Sequence, residues 1–171
     1  MSFPLETERL SLRPFRMEDV DALHVIFGDS RVMDRIPGGP SPTLHVTKER
    51  LAKIIAHQET HGFSLWAVID KASGRLIGDC GLILVEGRGP EIEVSYDIAY
   101  AFWGEGYATE AARECLRFGL EELKLDRIIA LTYADHRASR RVMEKIGMVY
   151  EKTVRYYDRD LVQYVAATNR R

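Results

Sequence analysis

The chain opens with an alternation. Leu10 and Leu12 are apolar, Arg9, Ser11 and Arg13 are charged or polar, and Pro14 follows. A two-residue period ended by a proline predicts a short first strand. The period then changes. Glu18 and Asp19 suit the first turn of a helix, and Val20, Leu23, Ile26 and Phe27 follow at helical spacing up to Gly28. Pro37-Gly38-Gly39-Pro40-Ser41-Pro42 reads as a loop. Leu51, Ile54, Ile55 and Gln58 mark one face of a second helix that ends near Gly62.

Apolar runs at Leu65 to Ile69 and Leu76 to Val85, separated by a turn at Lys71 to Gly74, predict a hairpin. After a second turn at Gly87 to Pro90, Glu91 to Ala99 alternates, with Ile92, Val94, Tyr96 and Ile98 set against Glu91, Glu93, Ser95 and Asp97. Tyr107 to Leu123 gives the strongest helical signal, with Ala108, Ala111, Cys115 and Phe118 on one face. A β-branched strand is expected over Arg127 to Thr132, a helix over Ser139 to Ile146 closed by Gly147, and a last hairpin from Met148 to Arg155 and Leu161 to Ala167. A helix of that length between Glu91–Ala99 and Arg127–Thr132 makes their connection a crossover. The predicted class is α/β (α+β): one mixed, mostly antiparallel sheet of about seven strands flanked by about four helices.

Composition narrows the class of function. The chain has 171 residues, 46% hydrophobic and 29% charged, the make-up of one globular domain, with a core expected over about residues 7–168. Its 24 Lys+Arg against 26 Asp+Glu leave a net charge of −2, so no overall attraction to nucleic acid or to an anionic membrane is expected. Two cysteines, Cys80 and Cys115, are too few for a disulfide framework or a cysteine zinc site. No secretory signal and no apolar run of membrane-spanning length is read, and the expected location is the cytoplasm.

The segment richest in chemistry is Phe102-Trp103-Gly104-Glu105-Gly106-Tyr107-Ala108-Thr109-Glu110, between a predicted strand and the strongest helix. Two glycines allow a sharp turn and a close approach of backbone to ligand. The helix start adds free N–H groups and the positive end of its dipole, an arrangement that cradles phosphate. It is not a P-loop, because no Gly-Lys-Ser/Thr follows, and Thr109 replaces the third glycine of a dinucleotide fingerprint.

Four segments in order resemble the GNAT superfamily of acyl-CoA-dependent N-acetyltransferases, and within it the branch of the ribosomal-protein alanine N-acetyltransferases. They are Thr7-Glu8-Arg9-Leu10-Ser11-Leu12-Arg13-Pro14-Phe15, Leu76-Ile77-Gly78-Asp79-Cys80-Gly81-Leu82, Glu93-Val94-Ser95-Tyr96 running into Trp103 to Ala111, and Ala138-Ser139-Arg140-Arg141-Val142-Met143-Glu144-Lys145-Ile146-Gly147-Met148. The resemblance implies a sheet splayed between its fourth and fifth strands, counted as seven, with acetyl-CoA wedged in the gap as co-substrate. It further implies pantetheine contacts at Ile98 and Ala99 and a pyrophosphate loop made of Trp103, Gly104, Glu105, Gly106, Tyr107, Ala108 and Thr109. His136, Ser139 and Arg140 complete the implied coenzyme-binding set. The chain departs from the family pattern at Trp103, at His136 and at Met143, where a general-acid tyrosine is frequent, so the group that protonates the leaving thiolate stays open.

Transfer of acetyl to an amine requires a base, a polarised carbonyl and a stabilised thiolate. The resemblance makes Glu93, which matches a glutamate many members carry on that strand, the leading candidate base, with Asp97 on the same strand face the second; it implies Ser139, matching the branch's helix serine, as the candidate donor to the thiolate. Tyr150, Tyr156 and Tyr157 are candidates for an acid or for the acceptor cleft. Glu110 and Arg113, one turn apart, read as a surface pair, and His57 and His61 have a metal-compatible spacing with no third ligand. Acids at Glu91, Glu93 and Asp97, against bases from Arg137 to Lys145, point to an anionic coenzyme at one edge and a cationic acceptor at the other. The expected acceptor is a primary amine, either a small molecule or a protein N-terminus, attacked directly in a ternary complex by a monomer or homodimer. A non-catalytic acyl-CoA sensor or interaction module on the same fold is the alternative.

Overall fold

The computed structural model describes residues 3–168. Its one sheet has eight strands in the order β1-β2-β3-β4-β5-β6-β8-β7. They are β1 Leu5–Glu6, β2 Leu10–Pro14, β3 Leu65–Asp70, β4 Leu76–Leu84, β5 Ile92–Ile98, β6 Arg127–Thr132, β7 Val149–Tyr156 and β8 Arg159–Ala167. The helices are α1 Val20–Phe27, α2 Ser30–Met33, α3 Leu44–His61, α4 Tyr107–Arg117 and α5 Arg137–Lys145. Two elements were not legible in the sequence. β1 is a two-residue strand, too short for any period, and it raises the strand count from seven to eight. α2 is a four-residue turn, capped by the Asp29 side chain accepting from the Arg31 amide.

Other elements end where their chemistry says they should. α3 is capped by Thr43, whose hydroxyl accepts from the Val46 amide, and stops at Gly62 with φ +76°. It begins seven residues ahead of the predicted apolar face because its first turns face solvent, with only Thr47 and Leu51 buried. The predicted Tyr107–Leu123 helix is α-helical to Arg117 and then widens to a π-helical stretch over Phe118–Glu122.

Two apolar clusters cover the two faces of the sheet. One joins Trp66, Cys80, Leu82 and Val94 to α4 through Ala111, Cys115 and Phe118. The other joins Ala67 to α1, α2 and α3 through Leu23, Ile26, Met33 and Leu51. The two cysteines lie in the first cluster as buried free thiols, their sulfurs 3.4 Å apart.

All neighbouring strands pair antiparallel, over two residues for β1–β2 and five or more elsewhere, with one exception. β5 and β6 are parallel and share a single rung, Glu93 opposite Ile129. By contrast β4 and β5 are registered over seven pairs, and β6 and β8 over six. The sheet therefore divides into β1–β5 and β6–β8, which part beyond Glu93. This is the splay expected of the same two strands.

Candidate active site

The parting of β5 from β6 opens a cavity of about 790 Å³ that reaches both faces of the sheet. On one side it is walled by α4, α5 and the glycine loop, through Gly104, Thr109 and Ser139. On the other it meets α1, α2 and α3 through Phe27, Met33 and Ile54, with Pro37 of the proline-rich loop beside them.

Gly104 (φ +79°) and Gly106 (φ +82°) occupy left-handed backbone that side chains rarely adopt. Gly106 is the N-cap of α4, and no side chain caps that helix, so its first amides stay available as donors. A Cβ added at Gly104 would meet nothing within 4 Å. An open pocket edged by free donors at a helix's positive end fits the pyrophosphate of coenzyme A.

The loop is held from behind by residues that periodicity does not single out. Glu110 accepts from the Thr7 hydroxyl at 2.6 Å and the Arg9 amide at 2.8 Å, and pairs with the Arg9 guanidinium at 2.7 Å. Arg9 also donates to the Glu105 carbonyl at 2.9 Å and lies 4.2 Å over the Tyr107 ring. This corrects the surface-pair reading of Glu110 and Arg113: Glu110 pins α4 to the turn between β1 and β2, and Arg113 donates to the Lys145 carbonyl.

Of the expected coenzyme set, Ile98, Trp103, Gly104, Gly106, Tyr107, Ala108, Thr109, His136 and Ser139 border the cavity. Ala99, Glu105 and Arg140 are not among its lining residues. The Ile98 carbonyl accepts from the Trp103 indole at 2.7 Å, and the Ala99 amide donates to the Ile77 carbonyl at 2.8 Å. Trp103 thus ties the loop to the end of β5. Arg140 donates to the Tyr164 hydroxyl and the Ala134 carbonyl, beside Arg137, Arg141 and Lys145 in a separate surface recess.

The carboxylates lie deep. Glu93 and Asp97 are 8% and 7% exposed, and burial raises both side chains to a pKa of about 7. Glu93 accepts a hydrogen bond from the Tyr157 hydroxyl at 3.2 Å. Tyr157 sits at φ +53° in the β7–β8 turn, where its amide donates to Glu86 at 2.9 Å. Of the three candidate tyrosines it alone borders the cavity; Tyr150 is 52% exposed and Tyr156 half-buried. Glu91, grouped with these acids in the sequence, is engaged by Arg127 at 3.2 Å. Behind Asp97, its cross-strand partner Asp79 is completely buried, with neither carboxyl oxygen hydrogen-bonded. Burial and the neighbouring Asp97 push Asp79 well above the usual carboxylate range.

The opposite face of β5 carries Tyr96, which the alternation sets among the apolar positions and to which it assigns no chemical role. Its hydroxyl lies 3.0 Å from both the carbonyl and the Oγ of Ser139 on α5. Burial raises the phenol, which stays protonated. Strand alternation thus puts carboxylates on one side of the gap and a hydroxyl pair on the other. His136, not Ser139, caps α5: its Nδ1 accepts from the Ser139 amide at 3.4 Å, and burial lowers its pKa, consistent with the unprotonated nitrogen a cap requires. Met143 is 1% exposed and packs in the core. His57, one of the two histidines with metal-compatible spacing, uses both ring nitrogens on backbone groups of Phe63 and Leu84.

Residues 9–149 match the profile of a family described as "Acetyltransferase (GNAT) domain". YkkB of Bacillus subtilis (strain 168) is 35% identical over 94% of this chain and 93% of its own length. The uncharacterized N-acetyltransferase p20 of Bacillus licheniformis is 26% identical, covering 91% of this chain and 87% of that one. Among solved structures, a GNAT-family acetyltransferase from Bacillus anthracis superposes with a TM-score of 0.82 at 30% identity, covering 96% of this chain and 98% of the other.

Proposed function

Because the chain belongs to the GNAT family of acetyltransferases, we propose that it transfers acetyl from acetyl-CoA to a primary amine by direct attack in a ternary complex. One observation carries this reading: the gap between β5 and β6 places a glycine-hinged, uncapped helix start at one end and a buried carboxylate, Glu93, at its single rung.

Acetyl-CoA supplies the activated acetyl group when bound. The amides of Tyr107, Ala108 and Thr109, opened by Gly104 and Gly106, hold the pyrophosphate. Trp103 and the Arg9–Glu110 pair hold the loop in shape for it. Glu105 contributes its backbone and leaves its carboxylate outside the cavity.

An amine reaches the gap as an ammonium and must lose a proton before it attacks. Glu93 accepts that proton and passes it to solvent; Asp97, with the same raised pKa, is the second acceptor on that face. A carboxylate with a pKa of about 7 suits the task, since a substantial fraction is ionised at neutral pH and that fraction is basic enough to compete. The amine nitrogen then bonds to the acetyl carbon as the thioester C–S bond breaks. The second amine proton ends, directly or by relay, on the leaving sulfur, and the Tyr96–Ser139 hydroxyl pair across the gap is placed to deliver it. Tyr96 thus takes the role that the family's missing helix tyrosine leaves open at Met143.

The test is release of coenzyme A over a panel of small amines and peptide N-termini. We expect turnover with at least one acceptor. Gly106→Asp, which sets a carboxylate against the phosphates, is expected to abolish acetyl-CoA binding in calorimetry; unchanged affinity would remove the loop assignment.

A further inference from the structure

The acceptor side of the cavity carries a charge that the transfer chemistry does not use. Four cationic side chains border it there: Arg35, Arg50, Lys53 and Arg159. Arg35 is balanced by Asp135 at 2.7 Å. Arg50 is committed to the carbonyls of Gly39 and Gly38, at 2.7 and 2.8 Å, and so fastens the proline-rich loop to α3. Lys53 is exposed at the rim. Arg159 differs from Arg35 in having no carboxylate partner, from Lys53 in being half-buried, and from Arg50, which also lacks a carboxylate, in spending a single N–H on the protein rather than both arms of its fork. It is half-buried at the start of β8, donates one N–H to the Tyr133 hydroxyl at 2.6 Å, and lies 5.8 Å from the centre of the same ring. No carboxylate among the described residues pairs with it, although two carboxylates line the same cavity.

A guanidinium keeps its charge at every biological pH, and partial burial strips part of its hydration. Its planar fork matches a carboxylate or a phosphate. Arg159 stands two residues from Tyr157, whose hydroxyl holds Glu93. The β7–β8 turn and the start of β8 thus carry both the tyrosine that holds Glu93 and the arginine, and Glu93, Tyr157 and Arg159 all line the cavity. Phe27, Met33, Ile54 and Leu65 make the rest of that side apolar.

We propose that the acceptor is a small amine bearing its own anionic group, a carboxylate or a phosphate, on an apolar body, with the anion seated on Arg159 and the amine toward Glu93 and Asp97. This rests on the amine-acetyltransferase reading of the same cavity. It replaces the simpler expectation of a purely cationic acceptor, because Glu91 is neutralised by Arg127 and an arginine with no carboxylate partner lines the same cavity as Glu93 and Asp97.

The experiment compares matched acceptors in the wild type and in Arg159→Gln. Leucine and phenylalanine are set against their amides for the carboxylate arm, and phosphoethanolamine against ethylamine for the phosphate arm. Rates are referred to the neutral-amine fraction of each compound. We expect the anionic member of at least one arm to have a kcat/KM tenfold or more above its neutral partner. In Arg159→Gln that ratio falls toward one, through KM for the acceptor, while KM for acetyl-CoA holds. Arg159→Lys, which keeps the charge and loses the fork, falls between. The proposal is overturned if the wild type takes neutral members equally well, if Arg159→Gln lowers both members alike, or if KM for acetyl-CoA rises instead, which would assign Arg159 to the coenzyme. Calorimetric titration of the same amines separates this proposal from the reading beneath it. Arg159-dependent binding without turnover supports the anion seat and sinks the transferase assignment. Turnover indifferent to Arg159 does the reverse, and neither binding nor turnover sinks both.

Discussion

Burial gives Glu93 and Asp97 an acid–base behaviour that exposed carboxylates lack. Out of water, a carboxylate is harder to charge, so each holds its proton to a pKa of about 7. Glu93→Gln is expected to lower kcat/KM by about 10²-fold or more, the usual worth of a positioned base. In the wild type, kcat/KM rises with pH through an ascending limb near pH 7, and the variant loses that limb; steady-state profiles from pH 5.5 to 9 decide it. Asp79 carries the same cost with no visible return from hydrogen bonds. Its folded pKa is raised, so it favours the folded state below the unfolded pKa of about 4 and costs stability as pH climbs above that. Asp79→Asn keeps the shape without the charge. At pH 8 it should be more stable than the wild type by about 1–3 kcal/mol, and at pH 4 nearly equal, as thermal melts at the two pH values would reveal.

At the scale of elements, the start of α4 is the part whose placement matters most. Its position depends on the turn between β1 and β2 through Glu110, Arg9 and Thr7. Glu110→Ala is expected to raise KM for acetyl-CoA several-fold with kcat little changed, and to cost about 1–3 kcal/mol by leaving polar partners unmet; initial-rate kinetics and urea melts test both parts. The sequence showed the glycine hinge because φ-tolerant residues before a strong helix are a local signal. It did not show the brace, because Arg9 and Glu110 stand 101 positions apart and meet only when the sheet forms. The same limit hid the contact between Tyr96 and Ser139. Alternation correctly put the tyrosine opposite Glu93, yet its partner Ser139 comes from another element. Elements with a strong period, such as α4 and β5, were legible; β1 and α2 were too short to carry one.

At the scale of the molecule, element order was enough to require a crossover between β5 and β6, but strand pairing alone gave no reason for them to part. That expectation came from family resemblance, and the single rung at Glu93 meets it. A ligand lying in the gap binds the folded chain alone. Acetyl-CoA at about 100 times its dissociation constant should therefore stabilise the protein by about 2.7 kcal/mol, a rise of roughly 5–10 °C in Tm. Differential scanning fluorimetry checks this, and Gly106→Asp should abolish the rise.

The parting of β5 and β6 has one more consequence. It leaves two strand edges facing each other inside the protein, each with backbone donors and acceptors turned toward its neighbour and too far apart to meet. On an outer surface such edges recruit other chains. Here α4 and α5 on one side, and the α2 region on the other, keep another polypeptide from zipping in as a strand. Under the proposed function, the ligand suited to this slot is a slender arm that carries its own amides and meets the exposed edges along its length, so that cross-section counts before side-chain chemistry does.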